Sequence, residues 1–241
     1  MKSPCIITYF MENISHKTPE YQKKVIDKYN KSGIPVYQIK GDIRHGDFIN
    51  VFWAMNGVVL GEAERSITNT DQKFDHDVVL MLDIDCIPLS VDAIDYYLEE
   101  ADSGKLIGNA QRSNHIQNGE HVFAAPSALA ISRDTFIKIG SPSAQETSRS
   151  DVAEEYTWMA ERNGVPVELI LPLSYDKAPY KYNWEKDQNP WWALKQGMPV
   201  YGIGTTFGND KKGKLFYHNF QIFHPGNQEM FWARCEKALN E

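Results

Sequence analysis

The sequence predicts an α/β protein with a mostly parallel sheet flanked by helices, and three observations carry that prediction. Val78-Val79-Leu80-Met81-Leu82 is an unbroken apolar run, the pattern of a strand covered on both faces. The chain before it alternates strand and helix patterns in β-α-β order, which right-handed crossovers turn into parallel neighbours. The run ends in Asp83-Ile84-Asp85, and in open α/β sheets the carboxyl ends of strands face the ligand crevice.

Taken in order, Cys5 to Phe10 is β-branched and aromatic and predicts the first central strand. Thr18 as N-cap, Pro19 at the first helical position, the stripe Tyr21, Val25, Ile26 and Tyr29, and Gly33 as the stop predict a helix. Pro35 to Ile39 predicts the second strand. Asp42, Arg44, His45, Gly46 and Asp47 then form either a solvated turn with Asp47 capping a helix from Phe48 to Met55, or a helix N-terminus presented to an anion or ribose. Arg65, with Glu62 and Glu64 nearby, reads as part of an exposed helix. After the acids, Ser90 is expected to cap a helix from Val91 to about Glu100, closed by Gly104, and Leu106 to Ala110 predicts another strand. A polar excursion through Arg112, Asn114 and His115, with the turn signal Asn118-Gly119, is either solvated or presented to a ligand.

The chain of 241 residues, 42% hydrophobic and 12% aromatic, is long enough for one full core and predicts a single domain spanning 1–241. Met1 to Phe10 lacks the pattern of a signal peptide and no stretch reaches the length of a membrane span, so a cytoplasmic location is the expectation, host cytoplasm if the source is viral. Cys5, Cys86 and Cys235 are expected to be buried free thiols. A net charge of −7 argues against a protein coated for nonspecific nucleic-acid binding.

Asp83 and Asp85 are the sharpest signal. Alternation along an extended strand sends both carboxylates to one side, where they repel unless a cation or a proton lies between them. The competing reading, a structural turn former or cap, suits one Asp better than two.

The hydrophobic strand followed by Asp83-Ile84-Asp85 and Pro88 resembles the DxD motif of nucleotide-sugar glycosyltransferases of the GT-A fold. That resemblance implies a GT-A-like, Rossmann-like sheet, Mn²⁺ or Mg²⁺ held by Asp83 and Asp85 against the diphosphate of a sugar donor, and UDP as the expected nucleotide. It also implies a nucleotide-sugar-binding half over 1–110, with Thr8, Tyr9 and Asp47 beside the base and ribose, and an acceptor-binding half over 111–241. A C-terminal histidine completes the metal site in many such enzymes. His218, in Phe216-Tyr217-His218-Asn219-Phe220, is the better candidate and His224 the reserve. Two carboxylates with an imidazole suit Mn²⁺ better than Mg²⁺.

For the general base, inverting members of the family carry an acidic pair at the head of a helix that ends in glycine. The stretch from Asp151 to Gly164, followed by a strand from Pro166 to Leu171, looks like that unit. Asp151, Glu154 and Glu155 are its candidates. None of the three matches the family's spacing, and acids in a first helical turn are equally ordinary dipole and capping choices. Ala124 to Phe136 is rich in small residues and resembles the family's stretch on the acceptor side.

Tyr175 to Tyr217 packs ten aromatics and seven lysines against four acids into 43 residues, the composition of an acceptor surface, although Trp184, Trp191 and Trp192 also suit a core. Tyr201 to Gly208 reads as a turn or lid whose glycines permit movement or close backbone approach. Gln228 to Leu239 is an amphipathic helix expected to pack on the sheet. The acceptor hydroxyl is left open among a glycan, a protein, a small molecule and a hydroxymethylated base in DNA. The rival functions are a haloacid-dehalogenase-type phosphatase, a DxD nucleotidyltransferase, and a non-catalytic glycan- or nucleic-acid-binding module.

Overall fold

The computed structural model describes residues 3–41, 45–60, 75–113, 121–177 and 203–241. Arg44, Glu62, Glu64, Arg65, Asn114, His115, the Asn118-Gly119 turn, Trp184, Trp191, Trp192 and Tyr201 lie outside the described residues.

The elements run β1 (Pro4–Phe10), α1 (Lys17–Tyr29), β2 (Val36–Lys40), α2 (His45–Met55), β3 (Val78–Asp83), β4 (Cys86–Pro88), α3 (Asp92–Asp102), β5 (Leu106–Arg112), β6 (Val122–Ser132), α4 (Arg133–Lys138), α5 (Glu154–Arg162), β7 (Val167–Lys177), β8 (Ile203–Asn209), β9 (Gly213–His218) and α6 (Asn227–Asn240). The strands join in the order β2-β1-β3-β6-β5-β7-β8-β9-β4. As the β-α-β pattern requires, β1 is parallel to both β2 and β3, and β5 is parallel to β7. The other neighbours are antiparallel, so the sheet is mixed.

The apolar run supplies the centre. Val78 to Leu82 are all buried, and a fully buried Val or Leu contributes roughly 1.5–3 kcal/mol of hydrophobic stabilisation. Val79 and Met81 face one core with Trp53 stacked on Phe136. Val78, Leu80 and Leu82 face the other, with Ile94, Tyr97 and Phe216. Ala124, Ala125, Ala128 and Ala130 belong to β6, which slots between β3 and β5. Gly108 has no room for a side chain there, since a Cβ would lie 2.8 Å from that of Ala124.

Several local expectations are corrected. Helix α1 starts at Lys17 after His16, and Thr18, instead of capping it, is buried against α6, accepting from Trp232 Nε1 at 3.0 Å and donating to Gln228 Oε1 at 3.2 Å. Asp47 lies within the first turn of α2 and Ser90 makes no cap to α3. Residues 203–208 of the segment read as a turn or lid belong to a strand, β8, that is buried from Gly204 to Gly208. Its glycines serve close approach: at Gly204, with φ +74°, a Cβ would lie 2.5 Å from Asp176 Oδ2 and 2.6 Å from Tyr217 Oη. Helix α6 packs on α1 as well as beneath β4 and β9, burying Phe231 and Cys235 with Val25, Tyr29, Ile87 and Tyr217. All three cysteines are buried free thiols. No helix among the described residues is long and apolar enough to cross a membrane.

Candidate metal centre and its cavity

The site is assembled by strand register. In β3, Asp83 is the partner of Tyr9 at the end of β1, and on the other side Leu82 is the partner of Ala128 in β6. The carboxyl end of β3 therefore emerges between the end of β1 and Pro126-Ser127. The chain turns through Ile84 and Asp85 and re-enters the sheet as β4, whose Cys86 is the register partner of His218 in β9. One antiparallel pairing thus brings the late histidine to the early acids. The Asn219 amide donates to the Asp85 carbonyl at 2.9 Å, closing the pairing at its end.

His218 Nε2 lies 2.9 Å from Asp85 Oδ1 and 3.5 Å from Asp83 Oδ2. One ligand atom from each of the three residues falls within 4.8 Å of the others. Asp85 and His218 are buried, whereas Asp83 is partly open to solvent. Burial pushes the Asp85 carboxyl up, against the pull of the neighbouring imidazole. Burial alone would lower His218, but Asp85 and then Asp83 outweigh it and hold the imidazole above its usual value. The ring is fixed by Phe220, 3.9 Å between centroids, while Nδ1 is buried without a hydrogen-bond partner. Two oxygen donors and an imidazole nitrogen converging this closely fit a divalent cation, which would relieve the repulsion between the acids.

These residues line a cavity of about 370 Å³. Tyr9, Phe10, Met11 and Ile14 form its β1 side, Gln111, Phe123, Pro126, Ser127, Asp151 and Val152 its β5–β6 side, and Phe220 to Phe223 its border beyond β9. Its described lining holds carboxylates and one imidazole but no Lys or Arg.

The three acids of the α5 region part company. Asp151 lines the cavity. Glu154 is fully buried and accepts from the Asp151 amide at 2.7 Å, from Ser113 Oγ at 2.7 Å and from His121 Nδ1 at 2.6 Å. Its bond to the Asp151 amide fixes the backbone that carries Asp151, just ahead of Ala153, the N-cap of α5. Burial would raise the Glu154 carboxyl, but His121, the Asp151 amide and Ser113 together hold it below its usual value. Glu155 is forked by Arg149 at 2.7 and 2.6 Å and bonded by Ser150 at 3.0 Å, and Arg149 draws its pKa down. Neither Glu lines the cavity.

Among the residues expected near the donor, Tyr9 lines the cavity, its hydroxyl donating to the Gly41 carbonyl at 2.6 Å and its ring stacked on Phe48. Thr8 is buried behind it and donates to Gln22 Oε1, while Asp47 accepts from the Gln145 amide. Neither of these two reaches the cavity. His224 is exposed and away from the acids, and Arg112 is buried in β5. The sequence reading passed over Gln22, which sits at the buried i+4 position of the α1 stripe after Thr18. A glutamine at a core position of an amphipathic helix was the available signal.

No protein-family model and no curated protein matches the sequence. Solved structures do match in fold. The chain resembles the galactosyltransferase LgtC in complex with donor and acceptor sugar analogues, with 13% identity over 98% of this chain and 95% of that one and a TM-score of 0.50. It also matches the catalytic domain of Drosophila beta1,4-galactosyltransferase 7 (11% identity, 96% and 79% coverage, TM-score 0.47). A third match is a glycosyltransferase involved in glycosylation of the major capsid of PBCV-1 (12%, 97% and 100%, 0.47). The fold is that of the GT-A glycosyltransferases, and the Asp83-Ile84-Asp85 pair beside His218 is consistent with a DxD site.

Proposed function

We propose that the protein is a metal-dependent glycosyltransferase that moves a sugar from a nucleotide-sugar donor, a UDP-sugar, to an acceptor hydroxyl. The observation that carries this reading is the convergence of Asp83, Asp85 and His218 in the lining of a cavity that Asp151 also lines. Asp83, Asp85 and His218 would hold Mn²⁺ in preference to Mg²⁺, and the bound ion supplies charge neutralisation for a departing nucleoside diphosphate. Tyr9 offers a ring and hydroxyl to the nucleoside, with Thr8 and Asp47 supporting the strand and helix behind it. Asp151 takes the proton of the acceptor hydroxyl, and Glu154 orients the backbone that carries it. Residues 1–110 then supply most of the donor side and residues 111–241 most of the acceptor side. A DNA acceptor gains no support from the cavity, whose described lining carries no Lys or Arg.

Calorimetric titration of UDP with and without Mn²⁺, into the wild type and into Asp85→Asn, tests the reading. Binding that needs both the ion and Asp85 is expected, followed by release of UDP when UDP-sugars and acceptors are screened. Release of pyrophosphate from an NTP would replace the reading with a nucleotidyltransferase. Failure of every nucleoside diphosphate to bind would leave a non-catalytic module.

A further inference from the structure

Gln22 is a fully buried polar side chain of α1 with no place in the chemistry proposed above, yet both hydrogen bonds of its amide nitrogen go to the turn that bears the acids. Its amide nitrogen donates to the Asp83 carbonyl at 2.6 Å and to the Cys86 carbonyl at 2.9 Å. Those carbonyls bracket Ile84 and Asp85, so one NH₂ group ties the two ends of the turn together. Its oxygen accepts from Thr8 Oγ1 at 3.1 Å and from Gln38 Nε2 at 3.2 Å. With donors on the oxygen side and carbonyls on the nitrogen side, only one orientation of the amide satisfies every partner.

We infer that Gln22 is a positioning residue for the metal centre, an inference that rests on the metal-dependent reading above. Between Asp83 and Cys86 the chain has left β3 and has only three residues of β4 to re-anchor it. The separation of the two carboxylates is therefore set by the conformation of this turn. The Asn219 amide holds the turn from the β9 side and Gln22 from the α1 side. Without the Gln22 amide, the buried Cys86 bond and the part-buried Asp83 bond are both lost, and the turn relaxes toward whatever geometry satisfies those carbonyls, carrying Asp83 and Asp85 out of register with His218. The effect is specific to the nitrogen side. Removing a donor from the oxygen side leaves both carbonyl bonds in place and the amide still oriented by the remaining partner.

The test measures Mn²⁺ affinity by electron paramagnetic resonance of the free ion, with Tm recorded alongside, in the wild type, Gln22→Met, Gln22→Glu and Gln38→Leu. Gln22→Met keeps the length and removes every hydrogen bond; Gln22→Glu keeps the acceptor and removes the donor, and serves if the first variant does not fold. Both are expected to weaken Mn²⁺ by about tenfold or more, the range seen when groups that orient metal ligands are removed. Gln38→Leu is expected to lower Tm while leaving the affinity within about twofold, because additivity holds where no ligand-bearing bond is cut. A folded Gln22 variant that binds Mn²⁺ like the wild type overturns the inference and leaves the metal site intact. A wild type that binds no Mn²⁺ overturns the metal reading itself, and the inference with it.

Discussion

The imidazole of His218 lies 2.9 Å from the carboxylate of Asp85, a residue 133 positions earlier in the chain, because Cys86 and His218 are partners in the β4–β9 pairing. That register, rather than any local motif, turns an acidic pair at a strand end into a three-residue donor set. The arrangement makes the proposed ion and donor binding depend on the whole sheet.

Asp85→Asn keeps the size of the side chain and halves its donor oxygens. Since loss of groups that merely orient ligands costs roughly 10–100-fold in affinity, loss of this ligand is expected to cost at least about 100-fold in Mn²⁺ affinity. UDP binding in Mn²⁺ should then equal that without it, as read by calorimetry. Unchanged Mn²⁺-dependent binding would remove Asp85 from the site.

Asp151→Asn separates the three acids of the α5 region. It is expected to lower kcat by roughly 10²–10⁴-fold with donor KM unchanged, the range for loss of a positioned general base. Glu155→Gln breaks a fork with a half-exposed arginine. It should cost about 1 kcal/mol or less of stability and leave kcat near the wild-type value. Steady-state kinetics of the two variants, side by side, decides the assignment; equal losses would rule it out.

Glu154 predicts a pH dependence of stability. Its carboxyl is held below the ordinary value in the folded state. The unfolded chain therefore binds more protons as the solution is acidified. The stabilisation is complete above the unfolded pKa of about 4.3 and is lost as pH falls through the lower folded value. Glu154→Gln should flatten that acid limb in urea titrations at a series of pH values, and at neutral pH it should cost roughly 1–3 kcal/mol through buried donors left without a carboxylate. An acid limb identical to that of the wild type would show that Glu154 is not its source.

Gly204→Ala tests the corrected view of β8. A methyl group there meets Asp176 and Tyr217 on a backbone at positive φ. A loss of roughly 1–3 kcal/mol is expected from strain of this kind. A lid glycine would instead tolerate the change in Tm and show it in kcat.

What could be read from the sequence was chemistry that is local. Val78 to Leu82 announced a central strand by composition, and the spacing of Asp83 and Asp85 announced two like charges side by side at its end. His218 needed the family resemblance as well. What could not be read was set by partners far along the chain. The small residues of Ala124 to Ala130 carry no period, so the insertion of β6 between β3 and β5 was invisible. Gly204 and Gly208 could be read as hinges or as points of close approach, because a sequence shows the missing side chain but not the neighbour that fills its space. Asp151 and Glu154 are interchangeable on paper; only the structure, in which Glu154 turns inward to accept from the Asp151 amide, shows which one the cavity receives. Gln22 acts on backbone carbonyls that no spacing rule connects to it.

The packing of α6 against α1, with Trp232 bonded to Thr18, has a consequence for biosynthesis. The strand that carries His218 and the helix that buries Val25 and Tyr29 leave the ribosome long after β3, since His218 follows Asp85 by 133 residues. A nascent chain that has completed β1 to β4 already carries both aspartates, yet it lacks His218 and the cover over α1. On the proposed function, capacity to retain the ion, and with it a sugar nucleotide, would therefore arise only once β9 has been made, and shorter nascent chains would not compete for donor.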